Sequence, residues 1–155
     1  CIQYNALRPD EKEKKQEYLK TILGDAGKNS IIEPNFFCDY GYNIEFKGFV
    51  YVNHNSVFLD CAKIKIGADT FIGPNCGFYT AIHPTDVDDR IAGKEWAKPI
   101  TIGEKVWIGG NVVVLPGVTI GDRTVIGAGS VVTKDIPSDV VAVGNPCKVI
   151  RHLNK

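Results

Sequence analysis

Aliphatic residues recur at every sixth position through the second half of the chain. Ile102, Ile108, Val114, Ile120, Ile126 and Val132 share one phase, and Gly follows four of them. This pattern predicts a left-handed parallel β-helix, in which three short strands make a triangular coil of about eighteen residues. The first residue of each hexad points into the prism and stacks on its equivalent one coil along, and the Gly or polar residue after it makes the corner. Val106, Val112, Val118, Thr124 and Ser130 at the fifth positions are the small or β-branched side chains that share the interior. The ladder extends backward through Ile66, Ile72 and Phe78. An earlier set, Phe46, Val52 and Phe58, is displaced by two residues, so the "AKIKIG" stretch must absorb an insertion.

Roughly 44 to 137 therefore reads as about five coils interrupted once. The interruption, from about Thr80 to Pro99, carries two prolines and the charged run "DVDDR" but no hexad. It is expected to leave a coil corner as a protruding loop, because the ladder resumes in phase beyond it. Before the ladder, "DEKEKKQEY" leads into Tyr18, Leu19, Ile22 and Leu23 and stops at Gly24, the signature of one amphipathic helix. It is either a packing arm or a cover for the open end of the first coil. The expected layout is a helical arm over 1–40, the β-helix over 41–140 with its loop at 80–99, and a tail over 141–155 packed on the outside. The fold class is mainly β.

Composition narrows the function classes. At 155 residues and 44% hydrophobic content, one domain with a small appendage is expected. Lys plus Arg equals Asp plus Glu at 18 each, so no global field attracts nucleic acid or a membrane, and an anion site has to be local. The five cysteines are odd in number and show no CxxC spacing, which reads as reduced thiols in a cytoplasmic protein, with Cys76 at an interior ladder position. The longest apolar runs are too short for a signal peptide or a membrane span. A first residue of Cys rather than Met points to further residues upstream.

Chemistry has to come from residues that the ladder does not need. His83 ends the hexad begun at Phe78 and precedes Pro84, which restricts it to an extended backbone at the root of the loop. It is either a structural histidine or a general base, the role for which an imidazole is best suited near neutral pH.

The runs "DYGYNIEF", "YVNHNSVFLD", "IGPNCGFYTAIHP" and "KPITIGEKVWIGGNVVVLPGVTIGDRTVIGAGSVVTKDIPSDVVAVGNPCKVIR" together resemble the maltose and galactoside O-acetyltransferases, within the hexapeptide-repeat acyltransferases. The hexads alone identify the superfamily. The "AIHP" context, the tryptophan of "VWIGG" and the "GNPCKVIR" ending narrow it to this subgroup.

The resemblance implies a homotrimer with active sites between neighbouring prisms, acetyl-CoA as donor, a small-molecule hydroxyl acceptor and no metal. His83 matches the family's catalytic histidine, which deprotonates the acceptor for direct attack on the thioester. Asn53 matches the asparagine that orients the acceptor and stabilises developing charge, although by position alone it is also a turn residue between hexads. Asp39 and Tyr51 fall where acceptor-contacting residues lie; Asp39 occupies a position that is serine in some members. At Asp60 and Cys61 the family can show two adjacent aspartates, and either residue is the candidate that reaches the acceptor. An acidic acceptor contact in the family's N-terminal stretch has no counterpart in this chain.

On the coenzyme side the resemblance places contacts at Gly110, Ala128, Thr133 and Lys134. Lys148 and Arg151 match basic positions near the phosphates. Trp107 lines the pantetheine groove or a subunit contact. Sugar acetylation leads, with antibiotics and lipo-oligosaccharides as alternative acceptors. Two other readings are a zinc-dependent γ-type carbonic anhydrase, which needs three imidazoles on one metal, and a trimeric scaffold without turnover.

Overall fold

The structure, a computed structural model, describes residues 1–153. Residues 154 and 155 of the expected tail lie outside the described residues. Each turn of the chain contributes one short strand to each of three parallel sheets, which form the faces of a left-handed prism. The first face holds Ile44–Phe46, Ile64–Ile66, Ile100–Ile102 and Thr119–Ile120. The second holds Ile31–Ile32, Val50–Val52, Thr70–Ile72, Trp107–Ile108, Val125–Ile126 and Val140–Val143. The third holds Phe37–Cys38, Val57–Leu59, Gly77–Tyr79, Val113–Val114 and Val131–Val132.

The ladder is an interior stack. Ile66 lies opposite Ile102 and Ile102 opposite Ile120 on the first face, Ile72, Ile108 and Ile126 align on the second, and Phe78, Val114 and Val132 on the third. All are buried, and Phe58 stacks on Phe78 with ring centroids 4.6 Å apart. Small fifth-position side chains complete the interior, and their hydroxyls bond to corner backbone. Thr70 Oγ1 donates to the Gly103 carbonyl at 3.0 Å, and Ser130 Oγ donates to that of Gly127 at 2.6 Å. A buried hydroxyl is tolerated there because the corner supplies its partner.

The coil begins earlier and runs further than the hexads suggested. Ile31–Ile32 and Phe37–Cys38, expected in the arm, pair in parallel with Val50–Val52 and Val57–Leu59. The second face accordingly has six parallel strands rather than about five. The arm proper is two helices, Ile2–Asn5 and Lys12–Ile22. It covers the first coil: Leu19 and Leu23 are buried, and the Asn5 amide bonds the Phe36 backbone on both sides, at 2.9 and 3.0 Å. At the other end Lys148–His152 pairs antiparallel with Val140–Val143. Both terminal segments thereby occupy sheet edges that would otherwise be open.

The corners are built differently from the expectation. At the regular corners the residue three after the ladder residue takes the left-handed backbone: Asn35, Asn55, Asp69, Asn75, Lys105, Asn111 and Arg123 all have φ between 55° and 65°. The glycines directly after the ladder residues serve another purpose, close approach. A Cβ on Gly67 would lie 2.5 Å from the Gly103 carbonyl, and one on Gly109 would lie 2.6 Å from the Ala128 nitrogen. Coil stacks on coil through backbone at these points.

The departures from the repeat all fall on one corner, between the third and first faces. Phe46 pairs with Ile66, twenty positions on, whereas Ile102 pairs with Ile120, eighteen on. The extra two residues follow Phe58, since Val52 to Phe58 keeps the six. The same corner of the preceding coil is also longer by two, because Cys38 to Phe46 is eight. In the next coil Ile66 pairs with Ile102, thirty-six on, so the excursion adds eighteen residues there. The excursion is folded, with Ala81–Ile82 pairing antiparallel with Trp96–Ala97 and a short helix, Val87–Ile91, at its tip.

Two consequences are measurable. Gly67→Ala forces its methyl into fixed backbone, so it should lower unfolding free energy by about 1–3 kcal/mol in urea titration. Tyr4 is buried in the arm and its hydroxyl donates to the Ile32 carbonyl at 2.6 Å. Burial, with the Glu33 charge adding, pushes its phenol up from 10.0 to about 12. The folded state favours the neutral phenol, so this contribution is complete below pH 10 and disappears as the pH rises through 12. Alkaline titration followed by phenolate absorbance should show a late-ionising tyrosine that Tyr4→Phe removes.

Candidate active site

Two corner columns carry the residues singled out by sequence. The first lies along the second face and the corner that leads to the third. Tyr51 and Trp107 point outward from the second face, and Asn53, Gly110 and Ala128 occupy the corner beyond it, with the Gly73–Pro74 coil between Asn53 and Gly110. The second column is the lengthened corner between the third and first faces. It contains Asp39, Asp60, Cys61 and His83, followed by Thr133 and Lys134 farther along the prism. Lys148 and Arg151 stand exposed on the antiparallel edge strand of the second face.

A whole prism face separates the two columns. Asn53 follows Val50–Val52 before the chain enters the third face, and His83 comes after the chain has left it. A six-residue side spans about 20 Å at strand rise. Within one chain the general-base candidate and the oxyanion candidate therefore do not meet. Each column nevertheless holds an acceptor candidate, a catalytic candidate and coenzyme candidates.

In the first column, the Asn53 side-chain oxygen accepts the backbone N–H of His54 at 2.7 Å. A backbone amide only donates, so this bond fixes which end of the side-chain amide is the oxygen and leaves its NH₂ as a donor. Tyr51 lies beside Phe71, ring centroids 6.3 Å apart, and burial and Glu33 raise its phenol above the usual range. The outward row of the second face, Ile31, Tyr51, Phe71, Trp107, Val125 and Val141, is apolar from end to end. By contrast the first face presents Glu45, Lys65, Thr101 and Thr119.

In the second column, His83 stands at the mouth of the excursion, with its side chain 60% exposed. Its Nε2 lies 4.0 Å from the Glu95 carboxylate on the returning strand side. The backbone beyond it is held by Arg90, whose guanidinium donates to the carbonyls of Pro84 and Thr85 at 2.9 and 3.1 Å. Sequence reading saw Arg90 only as part of a charge cluster and did not single out Glu95. No spacing rule marks either, because an antiparallel excursion brings them back to its root.

Asp60 is not an acceptor contact. Its carboxylate is fully buried and accepts the backbone N–H groups of Asp39, Tyr40 and Gly41 at 3.0, 2.9 and 2.7 Å. It folds the turn that presents Asp39. Cys61 is the more open of the pair, and its thiol donates to Asp39 at 3.6 Å. Burial first, then this contact with the carboxylate, raises the Cys61 thiol above its usual range. The side chains that this corner leaves open are therefore those of Asp39 and Cys61.

The three histidines do not converge within the chain: His54 and His83 stand at different corners and His152 on the edge strand. Among the described residues no group of three His, Cys, Asp or Glu is placed to hold a metal. No helix among them is long and apolar enough to cross a membrane. A cavity of about 460 Å³ lined by Tyr4, Lys12, Gln16 and Glu33 lies under the arm, away from the His83 column.

Residues 99–134 match the family described as bacterial transferase hexapeptide (six repeats). The chain is 44% identical over 152 residues to the galactoside O-acetyltransferase of Escherichia coli, covering 98% of this chain and 75% of that protein. It superposes with a TM-score of 0.97 on a maltose O-acetyltransferase from Clostridium difficile 630, at 48% identity, covering 99% of this chain and 82% of the other. The chain belongs to the hexapeptide-repeat acetyltransferases of the maltose and galactoside type. A hexapeptide-repeat acetyltransferase of Vibrio cholerae solved with acetyl coenzyme A superposes with a TM-score of 0.95 at 38% identity, over 99% of this chain and 83% of the other. The coil with its arm and excursion is thus the family's frame.

The role of Asp60 in this acetyltransferase is open to a direct test. Asp60→Asn should cost about 1–3 kcal/mol of stability and speed hydrogen exchange at the Asp39, Tyr40 and Gly41 amides. Unchanged exchange would mean that another contact holds the turn.

Proposed function

We propose that the protein transfers an acetyl group from acetyl-CoA to a hydroxyl of a sugar, in a site shared between two copies of a homotrimer. The observation that carries this reading is the separation of His83 from Asn53 by a prism face. Two halves of one site on different corners become a site when the His83 corner of one copy faces the Asn53 corner of the next. The apolar outward row of the second face supports such contact between copies. The family relatives supply the donor and acceptor class: a Vibrio cholerae relative binds acetyl coenzyme A, and others are named for galactosides and maltose. Five free thiols suit the reducing cytoplasm.

His83 takes the proton of the acceptor hydroxyl as its oxygen attacks the thioester carbonyl. The Asn53 NH₂ of the adjoining copy donates to the carbonyl oxygen as negative charge develops there. The tetrahedral adduct then collapses, the carbon–sulfur bond breaks, and His83 returns the proton to the departing thiolate. The products are an acetyl ester and the free thiol of coenzyme A, with no acyl-enzyme. Asp39 accepts hydrogen bonds from acceptor hydroxyls, and Tyr51 and Cys61 line the same cleft. Trp107 walls the pantetheine path, along which Gly110 and Ala128 leave room for backbone contact. Thr133 and Lys134 bind farther along the prism, and Lys148 and Arg151 bind the phosphates.

His83→Ala should lower turnover by about 10²–10⁴ and Asn53→Ala by about 10²–10³, measured as thiol release across a panel of sugars. Mixing decides whether the site is shared. Equal amounts of the two inactive variants, unfolded together and reassembled, should recover about a quarter of native activity, because a random trimer pairs an intact His83 with an intact neighbouring Asn53 at that frequency. No recovery would place both residues in one chain's site and overturn the shared arrangement.

A further inference from the structure

Two tyrosines beside the acceptor column have no part in the mechanism above. Tyr40 and Tyr42 sit in the lengthened corner of the first coil, on either side of Gly41, and are 55% and 63% exposed. Their ring centroids are 5.3 Å apart, with the planes inclined by 43°. Large apolar groups left in water on a protein surface are informative when they are adjacent and held rigidly. These are held firmly. The Asp60 carboxylate binds the backbone of Tyr40 and Gly41, Asn43 donates to the Asp60 carbonyl at 2.7 Å, and the Gly41 carbonyl accepts the amides of Gly24 and Ile44 at 3.3 and 2.9 Å. Gly41 has φ of 81°, and a Cβ there would meet the Ile22 carbonyl oxygen at 2.4 Å, so the turn is wedged against the arm helix.

The rings also lie on the corner that carries Asp39, Cys61 and the root of the excursion. Tyr40 shares its corner with Asp39, which contacts Cys61 in the following coil, and Glu95 lies 4.0 Å from His83. Cys61 and Tyr42 first, then burial, Asp39 and Glu95, raise the Tyr40 phenol above its usual range. Carboxylates that accept from hydroxyls thus stand beside aromatic surface that suits the C–H face of a pyranose ring, an amphipathic combination.

We propose that Tyr40 and Tyr42 form a subsite for a second sugar ring of the acceptor, so that the enzyme prefers oligosaccharide acceptors to single sugars. The subsite rests on the acetyl-transfer reading for its placement, and it costs little ordering on binding because the turn is already fixed.

The test compares glucose with maltose and galactose with lactose, on native protein and on the Tyr40→Ala/Tyr42→Ala double variant. In the native enzyme kcat/KM should favour the disaccharide of a pair. The double variant should lose about tenfold on the disaccharide, with the single sugar and the KM for acetyl-CoA unchanged. An equal fall for both sugars, or no fall, would overturn the subsite. A changed oligomeric mass of the variant in light scattering would also overturn it, by making the rings a contact between copies. Saturation-transfer NMR of maltose and lactose on both proteins without acetyl-CoA separates this proposal from the one beneath it. Disaccharide binding that depends on the two rings, without turnover of any hydroxyl acceptor, would retain the subsite and sink acetyl transfer. Turnover with ring-independent binding would do the reverse.

Discussion

Backbone hydrogen bonding between successive coils is the constraint on which everything else in this protein depends. A strand of two or three residues is too short to be stable by itself, and here each one is held by the coil before and the coil after. The stacking is tight enough that Gly67, Gly103, Gly109 and Gly121 leave no room for a methyl group against the next coil's backbone. A stack of this kind fixes the phase of every side chain. Extra residues can be accommodated only at a corner, where they add length without disturbing the interior. Three consecutive coils use the same corner: two residues around Asp39, two around Cys61, and the eighteen-residue excursion that begins beyond Phe78. Asp39, Cys61 and His83 are stacked as a result, and their proximity follows from the repeat rather than from sequence neighbourhood.

Much of this frame was legible because hexad periodicity reports burial directly. The interior ladder, the two-residue slip before Ile66 and the excursion after Thr80 all show as phase in the sequence. The first coil was passed over although Ile32, Phe36 and Cys38 keep the six-residue spacing, because the eight residues from Cys38 to Phe46 put it out of phase with the coils that follow. The corner mechanism was also misread. Glycine after a ladder residue looked like the turn, but the left-handed residue comes two positions later and is most often Asn or a charged residue. Asparagine tolerates that conformation at small cost, and stacked corners also let the side chain of Asn55 bridge Asn35 and Asn75 at 2.9 and 3.0 Å.

For the candidate site, the sequence named candidate members but not their arrangement in space. Family resemblance picked out His83, Asn53 and the coenzyme positions one by one, and nothing in a linear sequence says that a prism face divides them. Asp60 shows the opposite failure. Its position suggested a contact with the acceptor, yet its burial and three backbone donors make it part of the scaffold. A buried carboxylate is expensive unless fully bonded, and here it replaces the strand pairing that the lengthened turn gives up. Arg90 does similar work for the excursion by holding the carbonyls of Pro84 and Thr85, and so steadies the backbone next to His83. Both residues would be overlooked by a search for reactive groups, because their partners are peptide groups brought near only by the fold.

A divided site ties chemistry to assembly. One chain by itself presents an exposed imidazole on one corner and an amide donor on another, and neither arrangement both removes a proton and stabilises an oxyanion. On the shared-site proposal, an isolated chain would offer the thioester no complete catalytic centre, so the activated acetyl group would be kept from water until a second copy closed the cleft. Closure would also exclude solvent from the space between the columns and so strengthen each hydrogen bond to the developing charge. The same repeat that stacks one coil on the next holds both columns straight along the prism, so that two copies in register would align every half-site along a single groove.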